Sequence, residues 1–124
     1  MINQVLAYIG AALVTLWGIA HWFPTKDVVA GFGNISTDNR HIITMEWIIE
    51  GVALVFIGAV VTAVTFVDPA GPASRAAYWV TFIGLNVLSV VSLLTGFKVN
   101  FVPFKLCPAI FTTASILILL GAYL

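Results

Sequence analysis

The chain has 124 residues, 61% hydrophobic and 8% charged, with five acids balancing five bases. Soluble domains are about a quarter charged, so this composition belongs to the membrane class. With no basic run there is no electrostatic footprint for nucleic acid, and the single cysteine excludes an intramolecular disulfide, a Cys-x-x-Cys motif and a cysteine-based metal site.

A helix needs about 20 apolar residues to cross a hydrocarbon core of about 30 Å. The apolar runs here are continuous rather than alternating at every second residue, which argues against a β-barrel. The expected fold is an all-α, integral membrane four-helix bundle, one domain over 1–124, with helices at about 3–23, 37–67, 76–97 and 104–124.

Met1-Ile2-Asn3-Gln4 lacks the basic start of a signal peptide, so the first apolar segment is read as a retained helix. Ala7, Gly10, Ala11, Val14, Gly18 and His21 share one face at helical spacing, a small-residue stripe that lets a neighbour approach closely. His21 is expected to point into the bundle with that stripe, either as a structural hydrogen-bonding group or as a ligand and proton-handling group. Trp17, Trp22 and Phe23 suit an interfacial end, and Pro24 closes the helix. The loop from Thr25 to Thr37 is too apolar for an ordinary solvated loop, with Val28, Val29, Phe32 and Ile35, and is expected to lie over one mouth of the bundle.

Ser36 or Thr37 can cap the second helix, with Asp38 in its first turn. About 30 residues at 1.5 Å each give roughly 45 Å, so Asp38 to His41 should stand in the headgroup layer. Asn39, Glu46, Glu50 and Ala53 then fall in one narrow sector. Glu46 and Glu50 are i,i+4 neighbours within that sector. Two carboxylates this close in low dielectric imply a held proton or a cation between them, and ionisable groups in hydrocarbon mark functional or satisfied structural sites. Gly51, Gly58 and Thr62 form a separate small face.

The turn-rich stretch from Asp68 to Arg75 precedes the third helix, in which Tyr78 and Trp79 are read as interfacial anchors. Its polar residues cluster: Tyr78, Thr81, Ser89, Ser92 and Thr95 share a sector, with Asn86 at its edge. Ser89, Ser92 and Thr95 lie in the same half of the bilayer as Glu46, Glu50 and His21, so Asn86 and Ser89 are candidates to face the carboxylates. Pro103 and Pro108 place the start of the fourth helix close to Pro108, with Phe104, Leu106 and Cys107 extending it toward a full span. Lys26, Arg40, Lys98 and Lys105 on loops 1 and 3, against Arg75 on the other side, predict those loops in the cytoplasm and both termini outside.

Haem would need axial ligands on facing helices, and His41 falls opposite the glutamate face. No Glu-x-x-His pair, phosphate loop or serine elbow occurs, and a hard cation among Glu46, Glu50, Asn86 and Ser89 is the remaining metal possibility.

The four-helix plan, with Gly18, His21 and Pro24 closing the first helix, resembles small DoxX-like membrane proteins, some of which attach to quinone-linked respiratory complexes. Glu46-x-x-x-Glu50-Gly51 resembles the His-x-x-x-Glu-Gly helix of sterol-isomerase-like (EXPERA) proteins, with Glu46 in the place of the histidine. That resemblance implies acid/base residues in a membrane pocket.

The leading expectation is a polar, carboxylate-lined intramembrane pocket for a small hydrophobic or amphipathic molecule (lipid, quinone or sterol-like), with ligand-binding candidates Glu46, Glu50, Asn86, Ser89 and His21. The alternatives are a proton- or cation-coupled transporter subunit acting as an oligomer, and a structural accessory subunit of a larger membrane complex. The expected surroundings are the lipid bilayer and a homo-oligomer or larger complex, with no nucleic acid. The sequence names no cofactor and no reaction.

Overall fold

The computed structural model describes residues 2–124. It contains α1 (Ile2–Trp22), a short α2 (Thr25–Ala30), α3 (Thr37–Val67), α4 (Pro72–Thr95), one 3₁₀ turn (Gly96–Lys98) and α5 (Val102–Gly121). The four long helices are each long and apolar enough to cross a membrane, which makes this a multi-pass membrane protein.

The small-residue stripe explains why α1 is central. Ala7, Gly10, Ala11, Val14 and Gly18 are all buried, and α1 packs against both α3 and α5. At the α1–α3 crossing, a Cβ on Gly18 would stand 2.8 Å from the Gly51 carbonyl, and one on Gly51 2.8 Å from the Gly18 carbonyl. A Cβ on Gly10 would meet the Ala114 carbonyl at 2.9 Å on the other side. Backbones this close leave room only for hydrogen, and dispersion between them replaces the hydrophobic drive that lipid removes.

The α4 helix packs mainly on α5 and meets α3 near their joining turn. There Tyr78 is 0% exposed, and its hydroxyl lies 2.8 Å from Thr65 Oγ1, which also donates to the Val61 carbonyl at 2.6 Å. The expected interfacial role of Tyr78 is therefore corrected: a buried partner for its hydroxyl lets the ring fill the core. Trp79 does remain partly exposed and donates to Tyr123 Oη at 2.6 Å.

Helix ends follow local chemistry. The Ser36 side chain accepts from the Asn39 amide at 3.1 Å, capping α3. The α4 helix starts at Pro72 rather than near residue 76, because proline at the first position is already in helical φ and needs no amide partner. Similarly, α5 starts at Val102, with Pro103 in its first turn, and continues through Pro108. The cost is the bond Pro108 cannot donate to Phe104. The early start brings Phe104 and Cys107 onto a helical face beside α1 and α3.

Candidate functional site

The first half of α3 carries Glu46, Trp47 and Glu50 past the end of α1. Two indoles fix the register there. Trp22 donates to the Ile48 carbonyl at 3.0 Å, and Trp47 donates to the His21 carbonyl at 2.7 Å. Each bond satisfies an indole N–H in an apolar setting and ties one helix backbone to the other. The Trp47 ring also stacks on the His21 imidazole, with centroids 3.9 Å apart and planes 18° from parallel.

This stack presents His21 to Glu50. Nε2 of His21 lies 3.3 Å from Glu50 Oε2, with the histidine side chain 9% exposed and the glutamate 56% exposed. The distance is that of an ion pair, but the approach lacks hydrogen-bond alignment, so Nε2 is buried with no hydrogen-bond partner.

Glu46 and Glu50 open together into a cleft of about 720 Å³. Its far wall is α2 and the residues after it, with Asp27, Val28, Gly31 and Phe32. Val99 and Phe101 of the α4–α5 connection and Phe104 of the first turn of α5 close it. The cleft thus lies at the mouth formed by loops 1 and 3, bounded by α2, rather than in the middle of the four-helix interior. Behind it is a smaller chamber of about 200 Å³, lined by Trp17, Ala20, His21, Pro24, Trp47, Phe101, Pro103, Phe104 and Cys107. Trp47, Phe101 and Phe104 line both spaces, so one aromatic partition separates them. Trp47 meets Phe104 edge to face at 5.6 Å, and Phe104 meets Phe101 in the same way at 5.1 Å.

Of the five residues expected from sequence, the structure brings three together: Glu46, Glu50 and His21. Asn86 and Ser89 are elsewhere. Asn86 donates to the Phe82 carbonyl at 2.7 Å and to Ser115 Oγ at 3.0 Å. Ser89 donates to the Pro108 carbonyl at 2.9 Å and lies 2.8 Å from Thr112 Oγ1. Apart from the Phe82 bond, which stays within α4, these bonds hold α4 to α5, and the polar groups of α5, not the carboxylates of α3, set the rotation of α4. Among the described residues no three His, Cys, Asp or Glu side chains gather into a metal-binding group.

Sequence reasoning missed the wall residues Asp27, Phe32, Trp47, Phe101 and Phe104. Their signal was present in loop 1, which is too apolar for water, and in Phe101 and Phe104 flanking Pro103. No family model matches the chain, and no curated protein or solved structure matches it either.

Proposed function

We propose that this protein binds a small hydrophobic or amphipathic molecule in the cleft between α3, α2 and the α4–α5 connection. The observation that carries the reading is the pairing of two carboxylates from one helix face with an aromatic-walled cleft of about 720 Å³. Small-molecule sites occupy about 300–1,000 Å³, mostly apolar with a few placed polar groups, and this cleft has that size and make-up. Glu50 would be the polar contact nearest the partition, Glu46 the one nearer the mouth, and His21 would orient Glu50 from behind. The basic side chains of loops 1 and 3 support a cytoplasmic mouth, with both termini outside. We carry the DoxX-like and EXPERA-like resemblances as part of the same proposal, since Glu46 and Glu50 line the cleft and His21 and Pro24 line the chamber behind it.

Quenching of tryptophan fluorescence by a bromine-tagged long-chain alcohol tests this reading. Trp47 stands in the partition, so quenching in bilayer discs should saturate, and the saturable part should vanish in Trp47→Phe. Quenching that stays linear in probe, and equal in both proteins, would contradict it.

A second reading, a subunit of a homo-oligomer or larger membrane complex, is supported by α4. It is the least buried of the four spans, 11% of its apolar window against 28–33% for the others. Its broad apolar flank would take a neighbouring helix. A single-chain mass in bilayer discs at all concentrations would oppose the homo-oligomer.

A further inference from the structure

We propose that the ligand of the cleft carries an organic ammonium group, so that the site takes a hydrophobic amine by its charged head. The inference rests on the cleft reading above and adds the chemistry of the head group.

Three acids line the cleft, Asp27 from α2 and Glu46 and Glu50 from α3, and no lysine or arginine lines it. Among the described residues no lysine or arginine comes within ion-pair distance of any acid. The nearby bases are engaged otherwise or lie outside the lining. Arg40 donates to the Gly33 carbonyl at 3.3 Å, and Lys105 Nζ lies 5.2 Å from the Phe97 ring centroid. Lys26 and Lys98 are exposed beside the mouth. Carboxylates beside apolar walls and without a lysine or arginine partner attract a cation. A bare metal ion would leave most of this volume empty, whereas an amine with an apolar body fills it.

His21 supplies an independent indication. Its side chain is nine-tenths buried and its Nε2 faces the Glu50 carboxylate at 3.3 Å with no hydrogen-bond partner. In the tautomer with the proton on Nδ1, Nε2 and the carboxylate are two acceptors facing one another. The histidine behind it thus leaves the Glu50 carboxylate without a hydrogen-bond donor, and an ammonium on the cleft side supplies one, a charge-assisted bond of the strong class. Trp47, Phe101 and Phe104 line the same cleft, and aromatic rings beside a cation can add cation–π attraction. An apolar body can then lie along the aromatic and aliphatic walls of the cleft, Val28, Phe32, Phe101 and Phe104 among them.

The test compares dodecylammonium with dodecanol and dodecanoate, which share its chain and differ in head charge, by calorimetry in bilayer discs with empty discs as baseline. Wild type should bind dodecylammonium saturably and dodecanoate not at all. Glu50→Gln should weaken the ammonium by about tenfold, the loss expected for one charge-assisted contact in a partly dry site. Asp27→Asn, on an exposed residue outside the helix packing, should weaken it by about threefold and serves where Glu50→Gln disturbs folding. Discs containing phosphatidylethanolamine separate the sources. Competition there assigns the site to a lipid ammonium head, and undiminished binding assigns it to a free amine; both support the proposal. Equal affinity for dodecanol and dodecylammonium, insensitive to both variants, overturns the ammonium head while leaving the cleft reading standing. Saturable binding of none of the three overturns both.

Discussion

The crossing of α1 over α3 positions His21, Trp47 and Glu50 together, and Gly51→Ala perturbs it by one methyl group. The added Cβ would lie 2.8 Å from the Gly18 carbonyl and 2.7 Å from Trp22 Cδ1. The indole can swing aside, at the loss of its bond to the Ile48 carbonyl, but the Gly18 carbonyl is backbone and moves only with α1. Overpacking of this kind costs about 1–3 kcal/mol. The lost indole bond adds about 0.5–1.5 kcal/mol. Against these, alanine is favoured over glycine in a helix by about 1 kcal/mol. The net expectation is a destabilisation of about 1–3 kcal/mol. Gly84 provides the control, because nothing lies within 4 Å of a Cβ built there. Gly84→Ala keeps only the helix gain, so it should be neutral or stabilised by up to about 1 kcal/mol. Reversible unfolding in mixed micelles, followed by near-ultraviolet circular dichroism, measures both. A wild-type stability for Gly51→Ala, or an equal loss for the two variants, would refute the close-approach argument.

Other substitutions probe separate links. Trp47→Phe keeps an aromatic ring over His21 but removes the donor to its carbonyl, and unfolding should show a loss of about 0.5–1.5 kcal/mol. Tyr78→Phe removes only the hydroxyl contact to Thr65, which keeps its bond to Val61, so about 1 kcal/mol should be lost without any change in ligand binding. Asn86→Leu should cost about 0.6 kcal/mol through the Ser115 bridge, and titration with dodecylammonium should give the wild-type affinity, since the structure sets Asn86 apart from the cleft.

The four spans and the glutamate pair were legible because they depend on quantities local to the chain. Apolar length gives the spans, and the i,i+4 spacing of Glu46 and Glu50 puts them on one face whatever surrounds it. His21 could be placed because the small residues of α1 share its face and declare which side is buried. Asn86 and Ser89 could not, because α4 has hydroxyls and amides over a broad sector, and only the positions of Ser115, Thr112 and the Pro108 carbonyl select the rotation. Pro72 and Pro103 read as breakers when taken alone, whereas each sits in a first helical turn, where its missing amide costs nothing. The aromatic partition joins Trp47 of α3 to Phe101 and Phe104 at the start of α5, distant in sequence, so no local pattern shows that they meet.

The central claim is that Glu46 and Glu50 serve an amphipathic ligand rather than packing alone. Mass spectrometry of the solvent extract of protein purified in mild detergent tests it most directly, comparing wild type with the Glu46→Gln, Glu50→Gln double variant after both show cooperative unfolding. The account predicts an amphipathic compound in stoichiometric amount with wild type and its loss from the double variant. Identical extracts from two equally folded proteins would contradict it.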